Sequence, residues 1–136
     1  MSKKTKIVAI QGDKLKTINK DTDTSLLLAL EAQRRGYKIY YYETENLNFT
    51  NGKVQAYIKE LKLFEKKKNF YKVINQKLFD LSKSNYVLIR QNPPFNMDYI
   101  TATFFLEQLP KSVKVVNNPV SVRNVSEKFY SVNFLK

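Results

Sequence analysis

The chain predicts an α/β fold, a mostly parallel sheet carrying an inserted β-hairpin. Three observations lead there. Short β-branched runs recur at Lys6-Ile7-Val8-Ala9-Ile10, Tyr86-Val87-Leu88-Ile89 and Val113-Lys114-Val115-Val116-Asn117, the pattern of strands buried on both faces. Helical segments lie between such runs. One Asn51-Gly52 dipeptide between extended stretches marks a tight hairpin.

The first strand, Lys6 to Ile10, is stopped by Gln11-Gly12-Asp13. A polar loop runs to about Asp23. Thr24 to Arg35 is the clearest helix: Asp21 or Asp23 can cap it, Leu26-Leu27-Leu28-Ala29-Leu30 gives way to Glu31, Gln33, Arg34 and Arg35, and Gly36 supplies a left-handed stop. Lys38-Ile39-Tyr40-Tyr41-Tyr42 follows as a second strand, so the segment reads as a βαβ unit with a right-handed crossover. Leu47 to Thr50 and Lys53 to Ile58 flank Asn51-Gly52 as a type I′ hairpin. Leu61 to Leu81 is ambiguous, with Lys66-Lys67-Lys68 a turn between extended pieces. Tyr86 to Arg90 resumes the sheet and ends in the rigid corner Arg90-Gln91-Asn92-Pro93-Pro94-Phe95. A helix capped by Asp98 is expected to about Gln108, ahead of Pro110. After the Val113–Asn117 strand, Asn118-Pro119 breaks the chain, and Ser126-Glu127 opens a last helix that is still apolar at Phe134-Leu135.

At 136 residues the chain has the length of one domain. It contains neither Cys nor His. That excludes disulfide frameworks, thiol nucleophiles, Ser-His and Cys-His hydrolases, and most zinc enzymes. No apolar run has the roughly 18 residues of a membrane span, and the N-terminus lacks the apolar stretch of a signal peptide, so a cytoplasmic location is expected. The net charge is +12. A nucleic-acid-binding or partner-docking module is one reading of that excess; a Lys-rich solvated surface is the other. Lys is spread along the whole chain and Arg is confined to Arg34, Arg35, Arg90 and Arg123, which favours the solvated surface, since base readers cluster Arg.

Candidate chemistry gathers at strand ends. Arg90 closes a buried strand, so it pairs with an internal acid or with a ligand, and its planar fork suits a carboxylate. Asp21 and Asp23 are closely spaced acids that either hold Mg²⁺ or cap a helix. Thr24 and Ser25 put hydroxyls and N–H groups at a helix start, which suits a carboxylate or phosphate. Asn117 and Asn118 either face the same crevice or form a simple turn. No Gly-x-Gly-x-x-Gly or Walker loop is present, and Lys128 is one Lys among many.

Taken together, Glu31-Ala32-Gln33-Arg34-Arg35-Gly36-Tyr37, Arg90-Gln91-Asn92-Pro93-Pro94-Phe95 and Asn118-Pro119-Val120-Ser121-Val122-Arg123-Asn124, followed by Glu127-Lys128-Phe129, closely resemble the N-terminal part of the bacterial-type glutathione synthetases. The resemblance implies a Rossmann- or flavodoxin-like pre-ATP-grasp domain over residues 1–122 and the start of an ATP-grasp domain over 123–136. It implies an ATP-dependent ligase that joins glycine to γ-glutamylcysteine through an acyl phosphate, with ATP and Mg²⁺ as cofactors. By the same resemblance Asp23, Thr24, Ser25 and Arg90 border the dipeptide site, and Lys128 matches a phosphate-contacting Lys. Asn92 and Ser126 stand where the family has Asp and Asn. The Gly-rich loop and Mg²⁺ ligands of the family come later than Lys136, so this chain alone is expected to lack activity and to need an ATP-grasp region in cis or in trans.

Overall fold

The computed structural model describes residues 5–17, 24–65, 69–90 and 97–116. Among these, seven strands form one sheet. Strands β1 (Ile7–Gln11), β2 (Lys38–Tyr42), β6 (Tyr86–Ile89) and β7 (Lys114–Val116) are its parallel part, side by side in the order β2-β1-β6-β7. Strands β3 (Leu47–Thr50), β4 (Lys53–Leu63) and β5 (Tyr71–Asp80) form an antiparallel wing beyond β2. The βαβ unit is present as expected, β1 pairing parallel with β2 from Ile7↔Lys38 to Gln11↔Tyr42. The other edge of β1 takes β6, with Gln11 opposite Ile89.

Two helices cover opposite faces. Helix α1 (Thr24–Arg34) lays Ala29 and Leu30 on Val8, Ile10, Ile39, Tyr41 and Leu88. Helix α2 (Met97–Leu106) lays Ala102 and Leu106 on Ala9, Tyr40, Tyr42, Val87 and Ile89. Alternate residues of each central strand thus feed two cores, which is why those strands read as unbroken apolar runs. Tyr40 packs edge-on against Phe79 with ring centroids 4.8 Å apart, tying the wing to the α2-side core.

The wing is larger than the hairpin read from sequence. Asn51 (φ 53°) and Gly52 (φ 75°) form the expected left-handed turn, and β3 pairs with β4 from Leu47↔Ala56 to Thr50↔Lys53. Strand β4 then continues to Leu63, pairing with β2 on the same edge as β3 and with β5 on the other. Opposite Glu60 and Leu61 the register shifts, Ile74 of β5 being the extra residue, so the bulge lies on β5 and bends that strand. The end of β4 is held by a side chain: Gln33 Nε2 donates to the Leu63 carbonyl and the Leu63 N–H donates to Gln33 Oε1, both at 2.9 Å. Gln33 therefore acts as a surrogate strand residue. Its neighbours Arg34 and Arg35 pair with Glu31 at 3.3 and 2.8 Å on the solvent side, and Gly36 (φ 91°) turns the chain into β2.

Gly12 has a different reason. An added Cβ would come within 2.9 Å of Tyr41 Cζ, so the strand end needs the space rather than the flexibility. The Tyr41 hydroxyl donates to the Asp13 carbonyl and closes this corner. No helix among the described residues is long and apolar enough to cross a membrane.

Candidate functional site

Chain order and spatial order disagree at one place in the parallel sheet. Strand β1 lies between β2 and β6, and the chain leaves β1 over one face by α1 and β6 over the other by α2. The connections that follow β1 and β6 therefore part to opposite faces of the sheet, which makes the carboxyl ends of these two strands a switch point, the place where open α/β sheets bind ligands. Because β1 and β2 are parallel, α1 must run back between them, and its first residues lie on that same edge.

Arg90 is the first residue beyond β6. Its N–H donates to the Gln11 carbonyl at 2.8 Å, extending the ladder one step past the strands. The Gly12 N–H does the same to the Tyr42 carbonyl at 3.1 Å. The Arg90 backbone is thus fixed by the central strand, and its side chain is half-buried with Nε out of contact with solvent. Thr24 and Ser25 open α1, at the same end of the parallel strands as Arg90; their side chains lie outside the described part. Asp23, Lys128, the Asn92-Pro93-Pro94 corner, Asn117 and Asn118 lie outside the described residues.

Three residues of this edge escaped the sequence reading. Gln11 is fully buried at the end of β1, and Tyr42, opposite it in register, is also buried. The Tyr42 hydroxyl finds no hydrogen-bond partner among the described residues, and burial pushes its pKa well above the usual phenol range. An unsatisfied buried hydroxyl costs about 1–3 kcal/mol. Glu43 follows Tyr42. Partial burial, a hydrogen bond with Glu45 and the Glu45 charge push its carboxyl up, against Lys14 and Lys59, which pull it down. The signal for all three was position: they end or follow strands whose other residues are apolar. Among the described residues no group of three or more His, Cys, Asp or Glu side chains that could hold a metal ion occurs.

The profile described as "Prokaryotic glutathione synthetase, N-terminal domain" matches residues 7–123. The chain belongs to this family. Similar relatives include the glutathione synthetases of Mesorhizobium japonicum, 41% identical over 93% of this chain, and of Agrobacterium fabrum, 38% identical over 96% of it. The glutathione synthetase of Buchnera aphidicola subsp. Schizaphis graminum is 36% identical over 94%. In these three the match covers 40–41% of the relative. The chain therefore spans about two fifths of the length of these curated relatives and corresponds to the N-terminal part of glutathione synthetase. Within the family's Glu31–Tyr37 segment, Gln33, Glu31 and Gly36 have structural work, pinning β4, pairing two arginines and turning the chain.

Proposed function

We propose that this chain supplies the substrate-binding portion of a glutathione synthetase, an ATP-grasp ligase that joins glycine to γ-glutamylcysteine. The observation that carries the reading is Arg90, held by its own backbone at the sheet's switch point. A guanidinium fixed there can take a substrate carboxylate in two parallel hydrogen bonds, a geometry an ammonium does not reproduce. The N–H groups and hydroxyls of Thr24 and Ser25, with Asp23 before them, border the same crevice in this reading. Lys128 is assigned to phosphate contact when ATP is bound. ATP supplies the phosphoryl group that activates the dipeptide carboxylate; the residues of this chain bind and orient the substrate. In this reading the residues that bind ATP and Mg²⁺ and complete the reaction belong to a further region of the enzyme, so residues 1–136 by themselves are expected to form no glutathione.

Calorimetric titration of γ-glutamylcysteine into the protein tests this. Weak, saturable binding is expected, lost in both Arg90→Ala and Arg90→Lys at unchanged thermal stability. Equal binding by wild type and Arg90→Ala would remove Arg90 from the site. Glutathione formation by the isolated chain with Mg-ATP and glycine would overturn the assignment of catalysis to a further region.

A further inference from the structure

Asn51 is followed by Gly52, and no other Asn of the chain has Gly after it. A side-chain amide in that setting is open to its neighbour's backbone nitrogen, because no Cβ on the second residue shields it. The structure adds three further conditions. Both residues are exposed, and a Cβ built on Gly52 meets nothing within 4 Å, so the space beside the turn is open. The Asn51 side chain makes no hydrogen bond among the described residues, whereas Asn46, Asn48, Asn75 and Asn85 each accept one on Oδ1 at 2.9–3.1 Å. The hydrogen bond of a type I′ turn joins the residues that flank it, here Thr50 and Lys53, and leaves the Gly52 N–H outside it.

We propose that Asn51 is a self-modifying site, losing its side-chain amide to the Gly52 nitrogen, and that the product uncouples β3 from α2. Solvent base takes the Gly52 N–H proton, the nitrogen bonds to Asn51 Cγ, and the Cγ–Nδ2 bond breaks to release ammonia. One water then opens the resulting five-membered imide. Opening at Cγ leaves Asp; opening at the former main-chain carbonyl, the more frequent outcome, leaves isoaspartate, whose backbone runs through Cβ and Cγ. Attack needs Asn51 to leave the backbone conformation of the turn (φ 53°), so the fold slows the reaction by the fraction of time the hairpin tip stays closed. A two-residue loop fixes register by its length, and isoaspartate adds a methylene to it. Strand β3 has little to resist that change. It is four residues long and, among the described residues, pairs only with β4. Its hold on α2 is Leu47, buried in the same core as Ala102 and Leu106, and Phe49, stacked on Phe105 with ring centroids 6.0 Å apart.

Prolonged incubation of the whole chain in mildly alkaline buffer tests this, with mass-spectrometric peptide mapping of every Asn and enzymatic methylation to score isoaspartate. Asn51 should lose its amide with first-order kinetics, faster at higher pH and more slowly than in the guanidinium-unfolded chain, while the other Asn residues keep theirs. Asn51→Gly, which suits the same turn, should show no such change. The purified isoaspartate form should melt lower and exchange its Leu47–Thr50 amides about tenfold faster than fresh protein, the weight of roughly two or three cross-strand pairs. Asn51→Asp separates charge from backbone length. It carries the added carboxylate on a chain of normal length, accepts the left-handed conformation, and should exchange like fresh protein. An Asn51 amide retained by the folded protein while the unfolded chain loses it, or lost no faster than the other amides, would overturn the site. Equal exchange in the isoaspartate and fresh forms, or the same acceleration in Asn51→Asp, would overturn the uncoupling.

Discussion

Tyr42 separates folding from binding at the level of one oxygen atom. Its hydroxyl is buried without a partner among the described residues, so Tyr42→Phe should leave stability unchanged or raise it by about 1 kcal/mol in chemical denaturation. If the hydroxyl serves the substrate, the same variant weakens γ-glutamylcysteine binding in calorimetry. A drop in stability would show that the oxygen is already satisfied. Asp80 behaves oppositely. Burial pushes its carboxyl up, but hydrogen bonds from Ser82 and the charges of Lys53 and Lys83 outweigh this and hold it below the usual range. A depressed folded pKa stabilises above the unfolded value of about 3.9 and is lost as pH falls through the folded one. Asp80→Ala should therefore cost about 1 kcal/mol at pH 7, as for a lost helix cap, and the gap to wild type should close below about pH 4. Glu43 has the reverse sign. Its raised pKa favours the fold below about pH 4.3, and that contribution disappears as pH rises through the folded value. Glu43→Gln should melt higher than wild type at pH 7 and converge with it toward pH 4.

At the scale of elements, sequence periodicity reached α1, α2 and the parallel strands to within a few residues, because buried strands and capped helices are specified locally. A cap at Asp98 starts α2 two residues late, since the helix begins at Met97 and contains Asp98, and the hairpin reading ends β4 at Ile58, whereas it runs to Leu63. The physical reason for the second miss lies outside the segment: the last residues of β4 are held by the Gln33 side chain, about 30 residues earlier. No window of local sequence contains that bond. Gln33→Ala should cost about 1–2 kcal/mol by leaving the Leu63 amide and carbonyl unpaired, with amide exchange at Leu61–Leu63 accelerating first. The candidate site was legible in one residue, Arg90, since a charge ending an apolar strand stands out. Gln11 and Tyr42 were not legible, because a Gln beside Gly reads as a breaker and the last of three tyrosines reads as core.

For the whole molecule, the balance of charge bears on partners. Strand β4 sets Lys62 directly opposite Lys72 of β5, a repulsive pair that a solvated surface tolerates and added salt relieves. Thermal stability should therefore rise modestly between low and physiological ionic strength. Binding to arbitrary duplex DNA should be detectable only at low salt and fall steeply with it; tight binding at physiological salt would revive the nucleic-acid reading.

The central position of β1 also has a consequence for the nascent chain. Its first neighbour, β2, follows soon after, but its second edge waits for β6, 78 residues downstream by the Ile7–Asn85 bond. At ribosomal speeds of about 5–20 residues per second, the emerging half-domain carries an open strand edge, apolar but for Gln11, for about 4–16 s. Chaperone capture should peak in that interval, and polypeptides released before Ile89 should aggregate where those extending past it do not.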